Sequence, residues 1–162
     1  MKNKIIKIGD RLVGEGQPTF IIAEAGINHN GHIELAKKLI DLAVQAKADA
    51  VKFQMRDFKT LYTDNAWNNT KHEDIASQYA LSFIKESELS YDNFKELARY
   101  AKSKKIIFLC TPFDIASVDA LEKLGVPAYK ISSGDLVNLE LLEYVASKKK
   151  PIGVTKHRYA VG

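Results

Sequence analysis

A chain of 162 residues, 46% of them apolar, is long enough for one domain with a real core. Its formal charge of +4 is mild, and lysines gather near predicted helix ends, at Lys102, Lys104, Lys105 and Lys148 to Lys150, where they complement the helix dipole and do not form the basic stripe of a nucleic-acid footprint. No segment approaches the roughly 20 apolar residues of a membrane span, and a lone cysteine, Cys110, inside an apolar run excludes a disulfide framework and points to a reducing compartment.

In chain order, residues 5–8 and 11–13 flank Gly9-Asp10 as a short hairpin. Residues 20–25 read as a strand whose apolar run stops at Glu24, and Asn28, His29 and Asn30 follow in a polar loop. A helix is predicted over 33–45, where Ile33, Leu35, Ala36, Leu39, Ile40 and Ala43 fall on one broad face. The strand 50–54 is interrupted by Lys52 and closes at Gln54. Residues 55–89 are long for a connection and carry Tyr62, Trp67 and Tyr79, so they read as an insertion with a helical turn or two. Ser90 caps a helix over 91–103, and a strand over 106–111 ends at Thr111. Asp114 caps a helix over 115–124, which Gly125 and Pro127 stop. The strand 128–132 contains Lys130 and runs into Ser132-Ser133-Gly134-Asp135, and a helix over 139–147 leads to a fifth strand over 151–155.

This alternation predicts an α/β fold with a parallel sheet, whose strands read as apolar runs because both faces are covered. A doubly wound sheet would carry a glycine-rich turn after its first strand; here that turn reads GINHNG and lacks the dinucleotide fingerprint. A barrel collects polar side chains at the C-terminal ends of successive strands. Glu24, Lys52 with Gln54, Thr111, and Lys130 with Ser132 and Ser133 do so on four strands, which favours the barrel.

Two lysines in separate apolar strands require a carboxylate or a bound anion as partner. Pairing with Glu24 would satisfy one of them. Two lysines together with the hydroxyls of Thr111, Ser132 and Ser133 suit a small substrate bearing a phosphate and a carboxylate. Glu24 is the candidate general acid/base. Asn28, His29 and Asn30 can bond substrate hydroxyls, although Asn30-Gly31 also reads as a turn that caps the next helix. His29 and His32 have no acidic or cysteine partner at ligand spacing, so a metal is not expected from this pair. Cys110 is expected to be structural. Residues 1–10, MKNKIIKIGD, lack the apolar stretch of a secretory leader. The expected location is the cytoplasm, with neither nucleic acid nor membrane as partner.

In order and spacing, IIAEAGINHNG, ADAVKFQ, CTPFD and YKISSGD resemble the N-terminal half of the sialic acid synthase family, which includes N-acetylneuraminate and legionaminate synthases and relatives in spore-coat and surface polysaccharide synthesis. The resemblance spans about residues 3–152. It implies a (β/α)8 TIM barrel followed by an antifreeze-like domain, and condensation of phosphoenolpyruvate with an N-acetylated mannosamine-type sugar, with release of phosphate and use of manganese or magnesium. By the same resemblance Glu24 acts near the reacting aldehyde and C3 of phosphoenolpyruvate. Lys52, Thr111, Lys130 and Ser133 contact phosphoenolpyruvate or its phosphate, and Gln54 contacts the sugar. Asn28 lies in the matched loop as a substrate-binding candidate. Asp135 stands where many sialic acid synthases carry glutamate; the resemblance implies a sugar contact from it with altered geometry, which keeps legionaminate-type substrates open.

The chain departs from the family after the fifth strand, where PIGVTKHRYAVG replaces a Ser-Thr-Gly-Met type motif and Thr155 stands near the lost serine. A full barrel takes about 250 residues. The expectation is therefore a partial barrel over 1–162, about the first four βα units plus a fifth strand, behind a short N-terminal hairpin. The later strands with two metal-binding histidines, and the domain that lends an arginine to the partner's site, are expected to lie outside it. A truncated gene product, a frameshifted end and a fragment each account for this. Such a chain is expected to be inactive alone and to form a homo-oligomer. Two other readings stay open: an anion or sugar-phosphate binding module without catalysis, and a Schiff-base aldolase or lyase using Lys130.

Overall fold

The computed structural model describes residues 5–63, 73–74 and 79–155. In chain order the elements are β1 (Ile6–Ile8), β2 (Arg11–Val13), β3 (Ile22–Gly26), α1 (Ile33–Gln45), β4 (Ala50–Met55), α2 (Phe58–Leu61), β5 (Glu73–Asp74), β6 (Tyr79–Ala80), α3 (Leu81–Glu86), α4 (Tyr91–Ser103), β7 (Ile107–Pro112), α5 (Ile115–Leu124), β8 (Tyr129–Ile131), a 3-10 turn (Ser133–Val137), α6 (Leu139–Ser147) and β9 (Ile152–Val154). β1 and β2 form the expected antiparallel hairpin. β3, β4 and β7 make one parallel ladder, β8 and β9 another, and β7 lies beside β8.

The period of two along each strand decides the architecture. Ala23 and Ala25, Val51 and Phe53, Phe108 and Cys110, and Tyr129 and Ile131 all face one hydrophobic layer. Four helices close that layer: α1 through Ala36, Ile40 and Ala43, α4 through Phe94, Leu97 and Ala101, α5 through Val118 and Leu121, and α6 through Leu141 and Val145. The intervening strand residues Ala50, Leu109 and Ala128 form a second, smaller cluster with Ile8, Phe20 and Ile107. Helices on one face only, with strand side chains and the hairpin on the other, is the layering of a barrel segment; a doubly wound sheet carries helices on both faces.

The helix ends follow local chemistry. Ser90 accepts from Asn93 N, and the Asn93 side chain returns the bond to Ser90 N, a complete capping box. Asp114 accepts from Ser117 N at 2.6 Å, and Gly125 ends α5 in the left-handed conformation with φ of 73°. The loop before α1 behaves differently from expectation. Asn30 and Gly31 form the turn, with φ of 49° and 76°, but the N-cap of α1 is His32, which makes no side-chain capping bond. The helical turns expected in 55–89 are α2 and α3; Trp67 lies outside the described residues. Among the described residues, no helix is long and apolar enough to cross a membrane.

Among the described residues β3 pairs only with β4, and β9 only with β8. Ile21 and Ile22 beside the first edge, Val154 on the second, and Leu42, Val137 and Leu139 on the neighbouring helices and turn are all exposed. Unpaired edges and open apolar faces recruit further chains. The 162-residue chain is therefore expected to self-associate in light scattering at micromolar concentration; a monomer across that range contradicts this.

Candidate active site at the strand ends

The face opposite the helix layer carries the apolar Ala50, Leu109 and Ala128 and, at Glu24, Lys52, Gln54, Thr111 and Lys130, the polar side chains of the strand ends. Glu24 stands directly opposite Lys52 in the β3–β4 register, and Gln54 opposite Thr111 in the β4–β7 register. Lys52 is 2% exposed, and its Nζ donates to Glu24 Oε2 at 2.8 Å and to Thr111 Oγ1 at 3.1 Å. Three adjacent strands thus hold one buried ammonium. Glu24 is 60% exposed and open to solvent beside it.

Lys130 follows on β8, half-buried. It makes no hydrogen bond or ion pair among the described residues. Its pKa lies below the usual lysine value, first because burial disfavours the charge and then because Lys52 repels it; Glu24 and Asp135 oppose both effects. Asp135 is brought near Lys130 by the 3-10 turn, which Ser132 opens by accepting from Gly134 N at 3.3 Å. Ser133, partly buried, begins that turn. The internal pairing that the sequence left open for either lysine is realised by Lys52, and the second lysine is left over.

The polar loop after β3 divides. Asn28 is exposed at the mouth. His29 turns inward, 1% exposed, with its ring 5.9 Å from Phe53, so it is a loop anchor and no donor to a substrate in the mouth. Its Nδ1 accepts from Gly31 N at 3.2 Å, and burial lowers its pKa from 6.5 to about 4. The folded protein holds this imidazole neutral while the unfolded chain protonates it below 6.5. Stability is therefore fully present above that pH and is lost as pH falls toward 4, by roughly 3 kcal/mol from this group. Urea midpoints from pH 7 to pH 4 are expected to fall less steeply for His29→Asn than for the parent; equal slopes would contradict the assignment. Cys110 is fully buried and its thiol is pushed up to about 12, chiefly by burial, which makes it structural.

Sequence reasoning did not single out Ser87 and Arg56, both in the insertion. Ser87 is buried close to Gln54, and the Arg56 guanidinium lies 3.8 Å from the centre of the Phe113 ring. No periodicity marks a connection of this kind, so neither residue carried a signal.

Fold and site together define a parallel α/β scaffold of barrel type. It gathers a carboxylate, two lysines and hydroxyls at its strand ends. A profile of the NeuB family matches residues 39–156, and the chain belongs to that family. It is 42% identical over 136 residues to the N,N'-diacetyllegionaminic acid synthase of Campylobacter jejuni, an alignment covering 83% of this chain and 41% of that protein. It is 35% identical over 147 residues to human N-acetylneuraminate-9-phosphate synthase, covering 90% and 41%. The N-acetylneuraminic acid synthetase of Leptospira borgpetersenii, solved in complex with citrate, superposes with a TM-score of 0.83 at 32% identity, covering 98% of this chain and 52% of that one. The chain spans about 40% of the length of the curated relatives it matches.

Proposed function

We propose that this chain supplies the N-terminal part of a nonulosonic acid synthase, the first four βα units and fifth strand of its barrel. The reaction is condensation of phosphoenolpyruvate with an N-acetylated mannosamine-type sugar, in surface polysaccharide biosynthesis. The observation that carries this reading is the pairing pattern of the two lysines. Lys52 is locked between Glu24 and Thr111, while Lys130 faces the same mouth with no bonded anion among the described residues. A doubly anionic ligand would relieve the repulsion between the two ammonium groups and satisfy the one left over. Thr111 and Ser133 add hydroxyl donors for its phosphate. Glu24, exposed and hydrogen-bonded to Lys52, would carry a proton for the reacting aldehyde. Gln54, Asn28 and Asp135 border the site where the sugar would lie.

Among the described residues no three His, Cys, Asp or Glu side chains converge on one point. The manganese or magnesium implied by the resemblance would, in this reading, be held by residues outside the described ones. In this reading the remaining strands and a second subunit complete the site, and the isolated chain binds phosphoenolpyruvate weakly without condensing it.

Calorimetric titration of the 162-residue chain with phosphoenolpyruvate tests the reading. Lys52→Ala and Lys130→Ala are each expected to weaken binding by about 1–3 kcal/mol, the usual worth of a charged hydrogen bond. Unchanged affinity in both variants would place the lysines in a structural role. The depressed pKa of Lys130 beside a second cation also favours one other chemistry, an amine that adds to a carbonyl. Borohydride reduction in the presence of pyruvate separates the two: a covalent adduct at Lys130 supports the aldolase reading, and an unmodified chain supports the synthase.

A further inference from the structure

Gln54 Oε1 and Ser87 Oγ are buried and have no hydrogen-bond partner among the described residues. They line one cavity of about 20 Å³, which Arg56 and Glu88 also border and which Ile27, Ile84 and Leu89 wall on the apolar side. A single water needs roughly 10–15 Å³ and at least two polar partners; this cavity supplies both. Buried polar atoms are rarely left unpaired, and two orphans on one small space point to a shared bridge.

We propose that Ser87 is a positioning residue for Gln54, acting through one water molecule held between Ser87 Oγ and Gln54 Oε1. The Ser87 end is fixed by its backbone, whose N–H donates to Phe83 O at 3.0 Å at the end of α3. The Gln54 end is fixed by β4, in register with Thr111. Gln54 Nε2 lies on the other side of the amide, over Gly26, where a Cβ on that glycine would sit 3.7 Å away. A water that donates to Oε1 holds the amide plane and keeps the Nε2 hydrogens on the Gly26 side, away from the cavity. Gln54 then presents donors, which suit an acceptor oxygen such as an acetamido carbonyl; this last step rests on the function proposed above, and the bridge itself does not.

The test is side-chain NMR on the 15N-labelled 162-residue chain with no ligand added, so its outcome is independent of whether phosphoenolpyruvate or a sugar binds. The Gln54 amide pair, assigned by its loss in Gln54→Leu, is expected to be rigid, with an order parameter near about 0.85 that falls below about 0.6 in Ser87→Ala. Ser87→Thr restores it. A cross-peak from long-lived water to the Ser87 and Gln54 side chains is expected in the parent and lost in Ser87→Ala. Backbone amide shifts outside the cavity stay in place, which separates positioning from general loss of structure. A mobile Gln54 amide in the parent, equal rigidity in Ser87→Ala, or absence of the water cross-peak overturns the proposal.

Discussion

Replacing Glu24 by Gln in a synthase that carries this N-terminal half is expected to lower turnover by about 10²- to 10⁴-fold, the range for a lost general acid/base. Binding of phosphoenolpyruvate should not fall with it. In the structure Glu24 Oε2 holds Lys52 at 2.8 Å, so the carboxylate competes with an incoming anion for that ammonium. Removing the negative charge releases Lys52 to the ligand while Thr111 still holds its Nζ at 3.1 Å. The variant should therefore show unchanged or tighter phosphoenolpyruvate affinity together with the collapse in turnover. A group acting mainly in the transition state gives this separation. Turnover near that of the parent, or affinity that falls in step with turnover, would remove Glu24 from the chemistry.

The largest effect on stability is expected at Gly31. Its φ is +76°, and a Cβ built there would lie 2.3 Å from the backbone oxygen of Glu86. The obstruction is main chain at the end of α3, so no side chain can swing away. Gly31→Ala combines a left-handed conformation for a residue with a Cβ and a backbone clash, together about 3 kcal/mol or more. Gly125→Ala is the control: φ is +73° but nothing stands within 4 Å of the new Cβ, so only the conformational cost of about 1–2 kcal/mol is expected. Urea denaturation of both variants gives the comparison, and equal losses would mean that the loop before α1 and the end of α3 part without cost. The same contact joins the insertion to the mouth. Gly31 donates to His29, and α3 leads directly into Ser87.

What was legible in the sequence is what local rules determine. The helices at 33–45, 91–103, 115–124 and 139–147 stand where apolar spacing and caps placed them, because Ser90, Asp114 and Gly125 act on their own backbone neighbours. The five parallel strands shift at their ends by one or two residues, and β3 stops short of Phe20, which joins the smaller cluster with the hairpin residue Ile8. The polar breaks at Glu24, Lys52, Thr111 and Lys130 were visible because charge in an apolar run needs a cause. Which lysine found a partner was not, since that depends on strand register: Glu24 falls opposite Lys52, and Lys130 lies on a strand outside that ladder. His29 was misplaced for a related reason. A polar residue in a loop reads as available to solvent, and only the fold shows its ring turned against Phe53. Ser87 and its relation to Gln54 depend on how a long connection folds back over the first loop, which no spacing rule encodes.

The proposed function turns on Lys52 and Lys130 holding one small dianion between them. Lysine-specific NMR of the 162-residue chain during titration with phosphoenolpyruvate reads this contact at both Nζ atoms. Saturating ligand should shift the Nζ signals of both lysines and move the Lys130 titration upward toward the ordinary lysine range, because a bound anion replaces unfavourable burial and Lys52 repulsion with attraction. Lys130 and Lys52 signals that stay unmoved at ligand concentrations that perturb other residues would contradict the account.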